Sequence, residues 1–269
     1  MSRSRLLLWI ALAAATAVFI GKALFPGASL YTGVLTARRL LWIGSLSKLL
    51  FATVGVVAAA GVVRRFEADN PARRAWLLLT LGLGGFLAGQ SILGYFQLVE
   101  GRPIVFPSPA DLFFVLGSVC LVIALLSFVR AYAASGLPIG DPRERWLLAL
   151  GAAVLCAAIV IPILRPVVQT PAPPLEKLLN LAYPLLDVLL LIPMLLLLRM
   201  SSRFWGGRLW AVWGALVAGV LFTAAGDILF AYQSALGLGR LEDLFDAMYI
   251  LSFGCFAAGV LAQRDLLRE

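Results

Sequence analysis

The sequence contains no histidine, which removes the usual ligand of a catalytic zinc and the general base of a Ser-His-Asp triad. Cysteine is nearly as scarce, with Cys120, Cys156 and Cys255 the full complement. All three fall inside apolar runs, where a thiol packs as a small hydrophobe; their spacing fits neither a disulfide framework nor a zinc site. Charge is also in short supply. Only 13% of residues are Asp, Glu, Lys or Arg, and no stretch has the composition of a soluble catalytic or nucleic-acid-binding domain.

Apolar surface dominates what is there. Of 269 residues, 62% are hydrophobic, and the mean hydropathy is +0.97. A soluble fold of this size cannot hide so much apolar surface, whereas a bilayer makes hiding it unnecessary. The net charge of +8 does not mark a nucleic-acid binder, because the basic residues sit in small groups at the ends of apolar segments.

The expected fold is an all-α integral membrane protein, one polytopic domain of about eight transmembrane helices. The spans read as approximately 6–25, 40–63, 75–98, 110–134, 143–164, 175–199, 207–234 and 241–263. At about 20 residues per crossing they use about 160 residues, which leaves only short loops. Arg3 and Arg5 before Leu6–Ile20 resemble a secretory signal. However, the apolar run continues through Leu24-Phe25 without a cleavage site, so the first helix is expected to be retained. Ser108-Pro109-Ala110-Asp111 and Asp141-Pro142-Arg143-Glu144 read as helix starts, and the prolines between Pro162 and Pro174 read as an extended crossover. Trp42, Trp76, Trp146, Trp205 and Trp210 read as membrane-interface anchors.

Orientation follows from counting basic residues in alternate loops. One set, including Arg3, Arg5, Arg64, Arg65, Arg73 and Arg74, holds 14; the other, including Lys22, Arg38, Arg39 and Arg102, holds 7. Lys48 falls within a span. This asymmetry predicts that both termini face the cytoplasm.

Two stretches look alike. Gly89-Gln90-Ser91-Ile92-Leu93, Tyr95 and Ala110-Asp111-Leu112-Phe113-Phe114 parallel Gly226-Asp227-Ile228-Leu229, Tyr232 and Phe245-Asp246-Ala247-Met248-Tyr249. Spans three and four therefore match spans seven and eight, within an expected arrangement of four hairpins and a parallel internal repeat. Gly85 and Gly89, like Ala215 and Gly219, give small-xxx-small steps that let helices approach closely.

Ionisable groups inside a span cost about 2.5–3.5 kcal/mol at the helix centre on insertion scales, so each needs a reason. The candidates are Lys48, Asp111, Asp187, Asp227 and Asp246, with Gln90 as a neutral companion. Glu176, Asn180, Tyr183 and Asp187 step by four, three and four along one helical stripe; Glu242, Asp246 and Tyr249 form another. Ser45 precedes Lys48, and Thr223 precedes Asp227, by one turn. Such stripes face the bundle interior, because lipid offers no hydrogen-bond partner. The expectation is an acid- and tyrosine-lined pocket containing Asp187, Asp227, Asp246, Lys48, Tyr183, Tyr249, Gln90 and Asp111. Plainer roles compete: Asp111 as a helix cap, Asp246 reaching the headgroups, Lys48 as a counter-ion that makes insertion tolerable.

The element Phe106-Pro107-Ser108-Pro109-Ala110-Asp111-Leu112-Phe113-Phe114-Val115-Leu116-Gly117 resembles part of a bacterial membrane region. That region lies at the N-terminus of many GGDEF and EAL signalling proteins and of some histidine kinases. Tyr183-Pro184-Leu185-Leu186-Asp187 resembles its second element and Gly226-Asp227-Ile228-Leu229-Phe230-Ala231-Tyr232 its third, over roughly residues 75–263. The resemblance implies a sensory input region. In those proteins a cytoplasmic output domain follows the last helix, whereas this sequence stops at Glu269. It implies a stand-alone version or a fragment acting through a separate signalling partner.

Three functions are open at this level: a sensory or ligand-binding module, an ion-coupled or small-solute transporter, and an intramembrane lipid hydrolase using aspartates. A retinal protein is disfavoured, since Lys48 lies on an early helix.

Overall fold

The computed structural model describes residues 2–102, 105–136, 141–169, 171, 173–201, 206–236 and 242–268, with some side chains in 145–168 and 234–236 outside that description. The described residues form eight long helices: α1 Arg3–Leu24, α2 Ala37–Val63, α3 Pro71–Gly94, α4 Pro109–Ala134, α5 Pro142–Gln169, α6 Pro174–Ser201, α7 Arg208–Leu236 and α8 Glu242–Leu266. Single π-helical turns, Leu30–Val34 and Tyr95–Val99, precede α2 and extend α3. No strand occurs among the described residues. Hydrocarbon offers no partner for a backbone N–H or C=O, so each crossing must satisfy its own. With 22 residues in α1 and 29 in α7, the helices measure roughly 33–44 Å, enough to cross a hydrocarbon core of about 30 Å. Seven of them, all except α5, are both long and apolar enough to be membrane spans among the described residues.

Proline starts four helices, at Pro71, Pro109, Pro142 and Pro174, where its missing N–H costs nothing. Asn70 caps α3 by accepting from Ala72 N at 2.9 Å. After α4 the chain turns at Gly136, whose φ of 80° suits glycine.

Two expectations need correction. The segment from Pro162 is not an extended crossover: α5 stays helical to Gln169. In an apolar setting an interrupted backbone leaves groups unsatisfied, and neighbouring helices compensate better for a proline than lipid compensates for open chain. Pro184 and Pro193 lie within α6 on the same terms. Trp76 is not an interface anchor. It is 2% exposed, edge-on to Phe128 with centroids 5.1 Å apart, and Trp213 lies on the same Phe128 ring at 5.2 Å. Trp42 and Trp146 are exposed, as an anchor should be; Trp205 lies outside the described residues.

Six helices pack as a closed ring in the order α2, α3, α4, α6, α7, α8, with α8 returning to α2. Outside the ring, α1 packs on α8, and α5 on α6 and α7. Helix α8 is the most buried because three neighbours close on its small residues. A Cβ on Gly254 would meet Leu12 of α1, and one on Gly259 would meet Leu216 of α7, while Gly55 of α2 lies against the Ala257 backbone. At one end of the ring, Arg5 and Asp265 bridge α1 to α8 at 2.9 Å. The polar groups gather toward the other end, where α3 and α7 finish and α4 and α8 begin.

Candidate functional site, a chamber inside the helix ring

Within the ring lies a chamber of about 150 Å³ to which all six helices contribute. Helix α2 brings Lys48, α3 brings Phe86, Gln90 and Leu93, and the turn after α3 brings Gln97. Helix α4 and the loop before it add Phe106, Ser108, Asp111, Phe114 and Ser118; α6 adds Tyr183. Thr223, Asp227 and Phe230 come from α7, and Glu242, Phe245, Asp246, Tyr249, Ser252 and Phe253 from α8. Glu242 is exposed and marks the mouth.

Each aspartate that lines the chamber is held. Lys48 Nζ lies 2.7 Å from Asp246 Oδ1, joining α2 to α8 with both side chains largely buried. Asp111 accepts twice, from the Tyr183 hydroxyl at 2.5 Å and from the Ser108 backbone N–H at 2.6 Å. It is therefore both a helix cap and a chamber residue. Tyr249 donates its hydroxyl to Asp227 Oδ1 at 2.6 Å. Thr223 and Ser252 hydrogen-bond to each other at 2.6 Å. Ser45, one turn before Lys48, donates to Gln97 Oε1 at 3.2 Å.

Two polar groups are left over. Gln90 is 4% exposed, and its Nε2 has no hydrogen-bond partner among the described residues. Asp187 is buried with Oδ2 likewise unpartnered. It lies within electrostatic reach of Asp227 and Tyr249 but does not line the chamber wall. Of the eight side chains singled out from sequence, seven thus border one space and Asp187 stands behind it.

Aromatic rings form the remaining wall. Phe106, Phe230, Phe245 and Tyr249 make a run of edge-on contacts at 5.5, 5.8 and 6.1 Å. Phe86 packs on Phe114, Phe253 and Phe256 at 6.2 to 6.4 Å and forms the floor. Beyond it the ring interior is filled by Leu79, Leu83, Leu121, Leu125, Leu190 and Met194 around a gap of about 10 Å³. The Trp76, Phe128 and Trp213 cluster adds further apolar packing inside the bundle.

Glycines bring the walls close in two matching places. A Cβ on Gly89 of α3 would stand 2.7 Å from the Phe114 ring of α4, and one on Gly226 of α7 would stand 2.8 Å from the Tyr249 ring of α8. These are the stretches that look alike in sequence.

Residues missed in the sequence reading carried a usable signal. Ser252 continues the Glu242, Asp246, Tyr249 stripe by one turn; Gln97 follows Gln90, and Ser118 follows Asp111, by seven. No group of three or more Cys, Asp or Glu able to hold a metal ion occurs among the described residues. Cys120 and Cys255 are free thiols; the Cys156 side chain lies outside the described residues.

The helices and their composition define a multi-pass α-helical membrane protein in contact with the lipid bilayer. The chain matches no family model, and no curated protein or solved structure matches it.

Proposed function

We propose that the chain is a sensory or ligand-binding module of a bacterial inner membrane, with the chamber as its receptor site and both termini in the cytoplasm. The observation that carries this reading is convergence. Lys48, Asp111, Asp227 and Asp246 come from four helices and border a single cavity, the arrangement expected of a binding site rather than of isolated insertion counter-ions. The resemblance to the membrane region of GGDEF and EAL signalling proteins agrees with it. A ligand that fits one packing of the ring better than another would bias the far end of the bundle, where a signalling partner would read it.

The filled interior favours a receptor over a transporter. Between the chamber and the opposite end stand leucines, a methionine and aromatic rings, with no polar path through them among the described residues. Hydrolysis is less well supported, because the Thr223 and Ser252 hydroxyls bond to each other rather than to a carboxylate. The matched contacts of Gly89 with Phe114 and Gly226 with Tyr249 support an origin of the ring by internal duplication. So do the two holds on matched aspartates from the adjacent helix of the ring, Tyr183 to Asp111 and Lys48 to Asp246.

The test uses covalent occupancy. In a chain with its native cysteines replaced, Thr223→Cys is modified with a benzyl thiosulfonate, and amide exchange is followed at residues 263–266, the end of α8. A sensory module should change protection there without solute flux in proteoliposomes. Unchanged exchange would argue against it, and flux would favour a transporter.

A further inference from the structure

The chamber's chemistry is unbalanced. Three aspartates line it against one lysine, with Glu242 adding a carboxylate at the mouth. Lys48 is committed to Asp246 at 2.7 Å. The hydroxyls of Tyr183 and Tyr249 satisfy hydrogen bonds of Asp111 and Asp227 but bring no positive charge. A bare metal ion is a poor answer, because the carboxylates are too dispersed to form a chelating group among the described residues. Aromatic rings line the same space instead, at Phe114, Phe230 and Tyr249, and the faces of such rings attract organic cations. Independently, Gln90 is buried on the chamber wall with Nε2 unpaired. A buried amide N–H without an acceptor is costly, and a ligand acceptor would relieve it.

We propose that the chamber binds an organic cation: a protonated or quaternary amine on an apolar body that also carries a hydrogen-bond acceptor. The ammonium sits against Asp227 and Asp111, the body lies on the phenylalanine walls, and the acceptor takes the Gln90 amide. A cavity of about 150 Å³ suits a body of roughly one aromatic ring. This inference rests on the chamber being a ligand site, and its test separates the two claims.

The full chain in detergent is titrated calorimetrically with phenacyltrimethylammonium, with its uncharged carbon isostere neopentyl phenyl ketone, and with sodium chloride at matched ionic strength. The cation should bind saturably, at least about tenfold more tightly than the ketone, and Asp227→Asn should remove about tenfold of that affinity. Gln90→Leu should weaken phenacyltrimethylammonium but leave benzyltrimethylammonium, which lacks the carbonyl, unaffected. Equal or tighter binding of the ketone would overturn cation recognition and leave a ligand chamber standing. Binding of neither compound, with a cysteine at Thr223 still reactive to a water-soluble thiol reagent, would also overturn it. If that cysteine is unreactive as well, the chamber reading falls too.

Discussion

Lys48 of α2 and Asp246 of α8, 198 positions apart in the chain, form an ion pair at 2.7 Å inside the helix ring. Removing one partner of a mostly buried pair leaves the other uncompensated, at a cost of about 3–5 kcal/mol. Lys48→Met should therefore lower the melting temperature in detergent markedly, and Asp246→Leu should do likewise. The double variant should recover most of the loss, since two apolar groups need no partner. Additive losses in the double variant would show that the two side chains act separately.

Adjacent glycines on α3 should respond in opposite directions. A methyl on Gly85 would stand 2.8 Å from the Phe113 carbonyl oxygen and 2.9 Å from the Gly117 Cα, both backbone atoms of α4 that cannot swing away. Gly85→Ala should push α3 from α4 and cost about 1–3 kcal/mol. Gly84 has nothing within 4 Å of such a methyl, so Gly84→Ala should be neutral or stabilise by up to about 1 kcal/mol. Denaturation of the two variants side by side checks the helix interface directly.

The tyrosine hydroxyls offer a finer probe. Tyr249→Phe keeps the ring against Gly226 but removes the donor to Asp227, and Tyr183→Phe does the same for Asp111. A hydrogen bond to a charged group contributes about 1.5–3 kcal/mol, and each variant should lose stability in that range. Neither should alter the helical circular dichroism spectrum. A loss below about 0.5 kcal/mol in either would mean that water replaces the hydroxyl without penalty.

Asp187 should behave oppositely. Its Oδ2 is buried without a partner, and an unpaired buried polar oxygen is unfavourable. Asp187→Val, apolar and only slightly larger than aspartate, should raise the melting temperature. A drop instead would show that Asp187 holds a partner in the membrane.

These contacts also show how far the sequence could be read. Helix starts at Pro109 and Pro142 were legible because proline and the polar caps act locally. The buried acids were legible because an ionisable group in a span is expensive wherever it lies. Their pairing was not: that Lys48 meets Asp246 rather than Asp187 depends on which helices are neighbours in the ring. Trp76 was misread for the same reason, since a tryptophan six positions into α3 looks the same whether it faces headgroups or Phe128. The phenylalanine walls carried no signal, because in an apolar run one more aromatic residue creates no periodic contrast. The course of α5 through Pro162 and Pro166 reflects the surroundings overriding a local preference.

The central claim is that side chains from separate helices share one space reached by water, and thiol accessibility tests it most directly. In a chain with native cysteines replaced, single cysteines at Ser118 of α4 and Thr223 of α7, both on the chamber wall, are compared with cysteines at Val57 and Leu81, both on the outer surface of the bundle. A membrane-impermeant thiosulfonate applied to sealed vesicles of known orientation should label Ser118→Cys and Thr223→Cys at similar rates, from one side only, and leave the outer pair untouched. Modification of one chamber position should protect Lys48→Cys from the reagent. Chamber cysteines as inert as the lipid-facing pair, or labelled from opposite sides, would contradict the account.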